Sequence, residues 1–181
     1  DWENASTFEE IADAAKKLSG NKKFGLSAGP FLAYAGMYSK NSGGENIFDE
    51  QGNCVIDSQP FYDVYSWFER MLITDKSMPS TSDTAVLDAM ARFQGGNIAM
   101  IIDGVWQIHD VCKYTQGEVG VAAIPVATKG NSSYTTTFAD RFWAARTSSH
   151  PDADKKAIKA LMSKKAVEAL AKKQIGGLPV R

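Results

Sequence analysis

Apolar positions along the chain recur in helical blocks, and short continuous apolar runs separate those blocks. Thr7-Phe8-Glu9-Glu10 has the form of a capping box, in which Thr7 caps and Glu10 reaches back. Phe8, Ile11, Ala12, Ala15 and Leu18 then fall on one helical face, and Gly20 marks a stop. Residues 24–27 read as a short strand and 30–42 as an aromatic-rich helix that ends at Gly43-Gly44. Residues 46–57 read as a β-hairpin turning at Asp49-Glu50-Gln51-Gly52-Asn53. Ser58 is placed to cap the next helix, with Pro60 in its first turn and an apolar stripe of Phe61, Val64, Tyr65, Phe68, Met71 and Leu72.

A further helix is predicted from Ser82 or Asp83, with Val86, Ala89, Met90 and Phe93 facing inward and Gly95-Gly96 as its end. Residues 98–103 are almost continuously apolar, the pattern of a strand covered on both faces. A sharp turn then presents Trp106, and a short helix carrying Ile108 and Val111 follows. Residues 119–124 read as a second buried strand closed by Pro125, and 135–146 as strand-like, with Phe142 and Trp143 pointing to opposite faces. Residues 152–173 hold two helices with a new cap at Ser163. Helices and strands that alternate around one inserted hairpin argue for a layered α/β fold.

Length and composition add limits. The 181 residues suffice for a sizeable core, and 44% apolar and 23% charged residues are ordinary for a globular protein. The formal charge of −1 gives no general attraction to nucleic acid or to an anionic membrane. No apolar run is long enough to span a bilayer as a helix. The chain begins at Asp1 rather than Met, which reads as a processed or partial chain. The lysines between Lys155 and Lys173 alternate with alanines and leucines at helical spacing, so they read as a solvated helix face. Cys54 and Cys112 read as two small buried side chains, with a single bridge as the alternative.

Several chemistries lack their residues. No Gly-rich phosphate loop, GxGxxG or GxSxG is present. His109 and Cys112 lie three apart on a helix, but without a second pair they make no zinc site. His150, just before Pro151, reads as a solvated side chain at a helix entry. A calcium loop counted from Asp49 fails, because Cys54 stands where glycine is needed and Pro60 where glutamate is needed. No metal and no cofactor is expected. The 21 acidic residues offer many carboxylate pairs, so a glycan hydrolase stays open as an alternative.

What remains is a set of aromatic and charged residues after strands: Trp106 behind Asp103-Gly104, Phe31 and Tyr34 at the start of the aromatic helix, and Asp140-Arg141 within Phe138–Trp143. Each also has a structural reading, as core aromatic or as ion pair. Together they suit a sugar, whose apolar C–H face needs a flat ring and whose hydroxyl rim needs charged, planar partners.

The ordered motifs resemble one family. Phe93-Gln94-Gly95-Gly96-Asn97-Ile98-Ala99-Met100, followed by Asp103-Gly104-Val105-Trp106, is similar to the "F..GK.AM...GPW" segment of extracellular solute-binding proteins of sugar ABC transporters, with Val105 in place of proline. Thr7–Leu18 resembles the "TWEE...AAKKL" helix, and Asn41-Ser42-Gly43-Gly44 with Phe48-Asp49-Glu50 resembles "NGG...FDE". Gly120–Pro125 is similar to "GVAPLP", Ser163-Lys164-Lys165-Ala166 to "SPEAQ" and Gly176–Arg181 to "GGLPVR". Phe138-Ala139-Asp140-Arg141 departs from a glycine-rich "GGDG".

The resemblance implies a periplasmic-binding-protein-like (type II) lobe, layered α/β/α with an inserted hairpin. Residues 1–147 would be the carboxyl-side ligand-binding lobe, and 148–181 helices leading back toward a first lobe that is missing here. It implies capture of a carbohydrate, probed most directly by Trp106, with Asp140, Arg141, Tyr34 and Phe31 beside it. The implied partners are the permease subunits of an ABC importer, and the implied location is extracellular, at the cell surface or in the periplasm. Any membrane attachment would run through a lipid anchor on the missing amino-terminal part. A sugar sensor or adhesion domain on the same fold is the other alternative.

Overall fold

Two parallel strands, Phe24–Ser27 (β1) and Ile98–Ile101 (β2), organise the chain, with Phe24 opposite Ile98, Leu26 opposite Met100 and Ser27 opposite Ile101. They belong to a computed structural model that describes residues 4–29, 32–115, 119–138 and 141–172. Helix Phe8–Lys17 (α1) precedes β1. Thr7 accepts from the Glu10 amide at 3.1 Å while the Glu10 carboxylate accepts from the Thr7 amide at 2.8 Å, so the capping box is complete. Helix α1 lies so close to β1 that a Cβ on Gly25 would collide with the backbone of Ala15.

The crossover between the strands carries Leu32–Asn41 (α2), Gln59–Glu69 (α3), a π-helical turn at Arg70–Thr74, Thr81–Val86 (α4) and Ala89–Gln94 (α5). Beyond β2 come a 3-10 turn at Val105–Gln107, Ile108–Tyr114 (α6), Pro151–Leu161 (α7) and Lys164–Lys172 (α8). Ser58 stands at the N-cap of α3 without a side-chain capping bond, and Pro60 lies in its first turn as expected. Ser163 caps α8, accepting from the Ala166 amide at 3.3 Å.

The core joins Ala12 and Ala15 of α1, Leu26 of β1, Met37 and Tyr38 of α2, and Val64, Trp67, Phe68 and Met71 of α3 and its π turn. Trp67 fits the helical period as well as the predicted stripe does. It is buried while Tyr65 is partly exposed, because its indole N–H reaches the Phe8 carbonyl at 2.8 Å.

Arg70 clamps this packing from outside. Its guanidinium donates to Glu9 at 2.6 Å, Asp13 at 2.8 Å and Asp75 at 2.9 Å, and Lys16 meets Asp75 at 2.7 Å. Lys16, then Arg70, hold the Asp75 carboxyl below its ordinary value of 3.8. A carboxyl depressed in the folded state contributes stability that is present above the unfolded value and lost as pH falls through the folded one. Urea midpoints are therefore expected to hold near neutrality and to fall below about pH 4. Asp75→Asn should lower the neutral midpoint and flatten that acid limb. An unchanged acid limb in Asp75→Asn would remove Asp75 from the effect.

Several expectations are corrected. Residues 119–124 are no buried strand: Val121 is 67% exposed, and among the described residues the nearest pairing is the single bridge of Val126, beyond the segment, with Thr7. Residues 135–146 form no strand among the described residues, and Phe142 and Trp143 are both exposed, Trp143 at 80%. Extended segments count as strands only where a neighbour completes the ladder, and among the described residues neither run has one. Strand β2 is not covered on both faces, because Ala99 is exposed.

The single helix expected after Ser82 is two. Ser80 and Asp83 form a second capping box at α4, and Asp88 caps α5 by accepting from the Met90 and Ala91 amides. Two cap residues so close in sequence break the helix, and Val86 turns outward at 84% exposure. The inserted hairpin is reduced to one antiparallel bridge, Phe48 with Cys54, closed by Asp49 accepting from the Gln51 and Asn53 amides. Cys54 and Cys112 are exposed free thiols, neither buried nor bridged.

Candidate functional site

Parallel strands end on the same side of their sheet, so the residues that follow β1 and β2 are delivered to one edge. Tyr34 lies seven residues beyond Ser27, and Trp106 five beyond Ile101. Phe138 joins them. Its ring meets Tyr34 edge-on at 5.7 Å and Trp106 edge-on at 5.8 Å. Trp106 is 41% exposed and Phe138 44% exposed, so these two rings face solvent, while Tyr34 is half-buried against the core.

The turn that carries Trp106 is set by Asp103 and Gly104. Asp103 accepts from the Gly104 amide at 2.6 Å and from the Gln107 carboxamide at 3.5 Å. The six-membered ring of the indole lies where a Cβ on Gly104 would be. Gly104→Ala is therefore expected to evict the indole from its seat while leaving the fold intact, because a surface ring is free to swing away. Its unfolding midpoint should stay within about 0.5 kcal/mol of the parent. The emission of Trp106, isolated as a difference from Trp106→Phe, should shift to longer wavelength. An unshifted emission would show that the indole does not rest on this glycine.

Electrostatics keep the cluster neutral at its centre. Burial, then the Asp103 carboxylate, pushes the Tyr34 phenol above its ordinary value, so it remains a hydroxyl near neutrality. One helical turn further on, burial raises the Tyr38 phenol more strongly. The surface thus offers three ring edges and faces, one phenol hydroxyl and one exposed carboxylate, a composition suited to an uncharged polyhydroxylated ligand.

Of the residues singled out in the sequence, Tyr34 and Trp106 are brought together through Phe138. Arg141 is exposed and joins this cluster through no ion pair or cation–π contact among the described residues. Phe31 and Asp140 lie outside the described residues. Phe138 and Asp103 are the additions. Asp103 was visible as the start of the turn, whereas nothing in the local pattern around Phe138 ties it to a residue more than one hundred positions earlier. Among the described residues, no three His, Cys, Asp or Glu side chains are grouped to hold a metal. No helix is long and apolar enough to cross a membrane among those residues.

No curated protein sequence matches the chain. Solved structures do. An ABC substrate-binding protein from Listeria monocytogenes in complex with cycloalternan superposes with a TM-score of 0.76 at 18% identity, over 98% of this chain and 45% of that one. The maltose/maltodextrin-binding domain MalE from Bdellovibrio bacteriovorus bound to maltotriose gives 0.69 at 22% identity, over 97% and 48%. The Thermus thermophilus maltotriose-binding protein gives 0.57 at 22%, over 92% and 50%. The chain thus spans about half the length of these structures and shares their α/β binding-protein fold. The sequence model for the bacterial extracellular solute-binding proteins matches residues 2–168. The chain belongs to the bacterial extracellular solute-binding protein family.

Proposed function

We propose that this chain forms one wall of a crevice that captures an oligosaccharide for an ABC importer. The observation that carries the proposal is the aromatic trio at the carboxyl ends of two parallel strands: half-buried Tyr34 and exposed Trp106 follow the strands, and exposed Phe138 joins them. Two of the three similar structures hold maltotriose and one cycloalternan, which supports an oligosaccharide over an amino acid or an ion. The indole of Trp106 would cover the C–H face of a ring, and the Asp103 carboxylate and Tyr34 hydroxyl would bond its hydroxyls. Asp140, Arg141 and Phe31 remain candidates for the same rim.

Residues 1–147 would make this wall, and the helical segment 148–181 would lead back toward the first lobe. In support, Phe142, Trp143 and the α7 side chains Ile158 and Leu161 line a hollow of about 290 Å³ open to solvent. A ligand that touches both walls only when they meet would favour the closed arrangement, and that form would dock on the permease subunits. A lipid anchor elsewhere in the protein would keep it at the membrane.

The reading assigns no covalent chemistry to the chain. A thermal-shift screen of the intact protein against mono- and oligosaccharides tests the proposal, because a ligand specific for the folded state raises its apparent stability. Maltotriose, cycloalternan or a related oligosaccharide should raise the midpoint and be recovered unchanged. Stabilisation by no carbohydrate would contradict capture, and shortened products would favour a hydrolase.

A further inference from the structure

We infer that Asn41 is a positioning residue for the aromatic trio, acting from the far end of α2; the inference rests on the proposed oligosaccharide site. Asn41 closes α2 and is 2% exposed. Its carboxamide donates to the Tyr134 carbonyl at 2.8 Å and accepts from the Tyr134 amide at 2.8 Å. The second carboxamide hydrogen goes to the Met37 carbonyl at 3.0 Å. Its main-chain carbonyl accepts from the Ala127 amide at 2.8 Å. One side chain therefore satisfies both backbone groups of Tyr134, as a neighbouring strand would, in a segment that has no ladder partner among the described residues.

The dimensions show what this pin controls. From Asn41 back to Tyr34 is seven helical residues, about 10 Å at 1.5 Å per residue. From Tyr134 forward to Phe138 is four extended residues, at most about 13 Å. The segment thus runs back along α2, held to Asn41 at one end and meeting Tyr34 through the Phe138 ring at the other. Sliding it by one residue would put Thr137 in place of Phe138 and leave Trp106 without its edge contact. Asn41 fixes that register without approaching the ligand surface itself.

A double-mutant cycle in the intact protein tests the role, using maltotriose first and otherwise the oligosaccharide that gives the largest thermal shift. Asn41→Ala and Phe138→Ala should each weaken binding about tenfold. The double variant should be no weaker than Phe138→Ala alone, since the pin acts through that ring. A merely structural role would instead add its own loss in the Phe138→Ala background, and additivity overturns the inference. A ligand-free arm reads the pin directly. Hydrogen exchange over 131–138 should accelerate in Asn41→Ala while β1 and β2 keep their protection. Unchanged exchange there also overturns it. Should Asn41→Ala fail to fold, Asn41→Asp keeps the acceptor for the Tyr134 amide but sets a carboxylate against two carbonyls, and should give the same pattern. A parent protein that binds no carbohydrate defeats the function proposal instead, and the exchange arm still decides whether Asn41 holds the segment.

Discussion

Trp106→Ala is expected to weaken oligosaccharide binding by about thirty- to several-hundred-fold. Covering a sugar face with the indole removes apolar surface from water, worth about 1.5–3 kcal/mol for a large side chain. Ring-face geometry adds about 0.5–1.5 kcal/mol. A sum of about 2–4.5 kcal/mol, cut at its upper end by the cost of ordering the ligand, converts to that range of affinity at 1.4 kcal/mol per tenfold. Stability should change little, since the side chain is 41% exposed and, among the described residues, meets one ring, the edge of Phe138. Isothermal titration reads the affinity and urea unfolding reads the stability. Equal affinity in the variant would remove Trp106 from the site. Trp106→Phe should recover part of the loss, because a smaller ring still presents a face.

Trp67→Ala should do the reverse and strike the fold. Trp67 meets Phe8 edge-on at 5.1 Å and Phe68 at 4.9 Å, and its N–H bonds the Phe8 carbonyl at 2.8 Å. It ties α3 to Phe8 at the start of α1 from within, where Arg70 holds Glu9 from outside. Removing a buried aromatic of this size costs about 3–5 kcal/mol, and the lost indole N–H bond to the Phe8 carbonyl adds to that. A loss of that size is a large share of the about 5–15 kcal/mol that keeps a typical domain folded. The urea midpoint of Trp67→Ala should fall steeply, or the variant should not accumulate folded. A loss under about 1 kcal/mol would mean that the indole is not the link between these helices. Trp67→Phe should retain most of the packing and lose the hydrogen bond.

The contrast between these two tryptophans shows how far the residue pattern reaches. Local signals were accurate where the chain's nearest neighbours decide the outcome. The Thr7 capping box, Pro60 in the first turn of α3 and the Ser163 cap all depend on residues within one helical turn. The apolar stripe of α3 located the core because burial is what drives an amphipathic helix to pack. It omitted Trp67, since a helical period leaves neighbouring positions equally eligible until a partner such as the Phe8 carbonyl is known.

Pattern failed where the outcome depends on a distant neighbour. Residues 119–124 and 135–146 carry the apolar residues of strands, yet among the described residues no neighbour completes a ladder, and Val121, Phe142 and Trp143 stand exposed. The site shows the same division. Trp106 and Tyr34 were legible because each follows a strand, and parallel pairing brings strand ends together. Phe138 was not, because its place is set by the carboxamide of Asn41, a contact spanning 93 positions.

Fluorine NMR of the intact protein labelled with 5-fluorotryptophan tests the proposed wall most directly. The four indoles of this chain are among the reporters, and Trp106→Phe assigns the relevant signal. Titration with the stabilising oligosaccharide should move or broaden the Trp106 resonance while the buried Trp67 resonance stays in place. Saturable carbohydrate binding that leaves the Trp106 resonance where it was would contradict the assignment of this surface as the sugar-holding face.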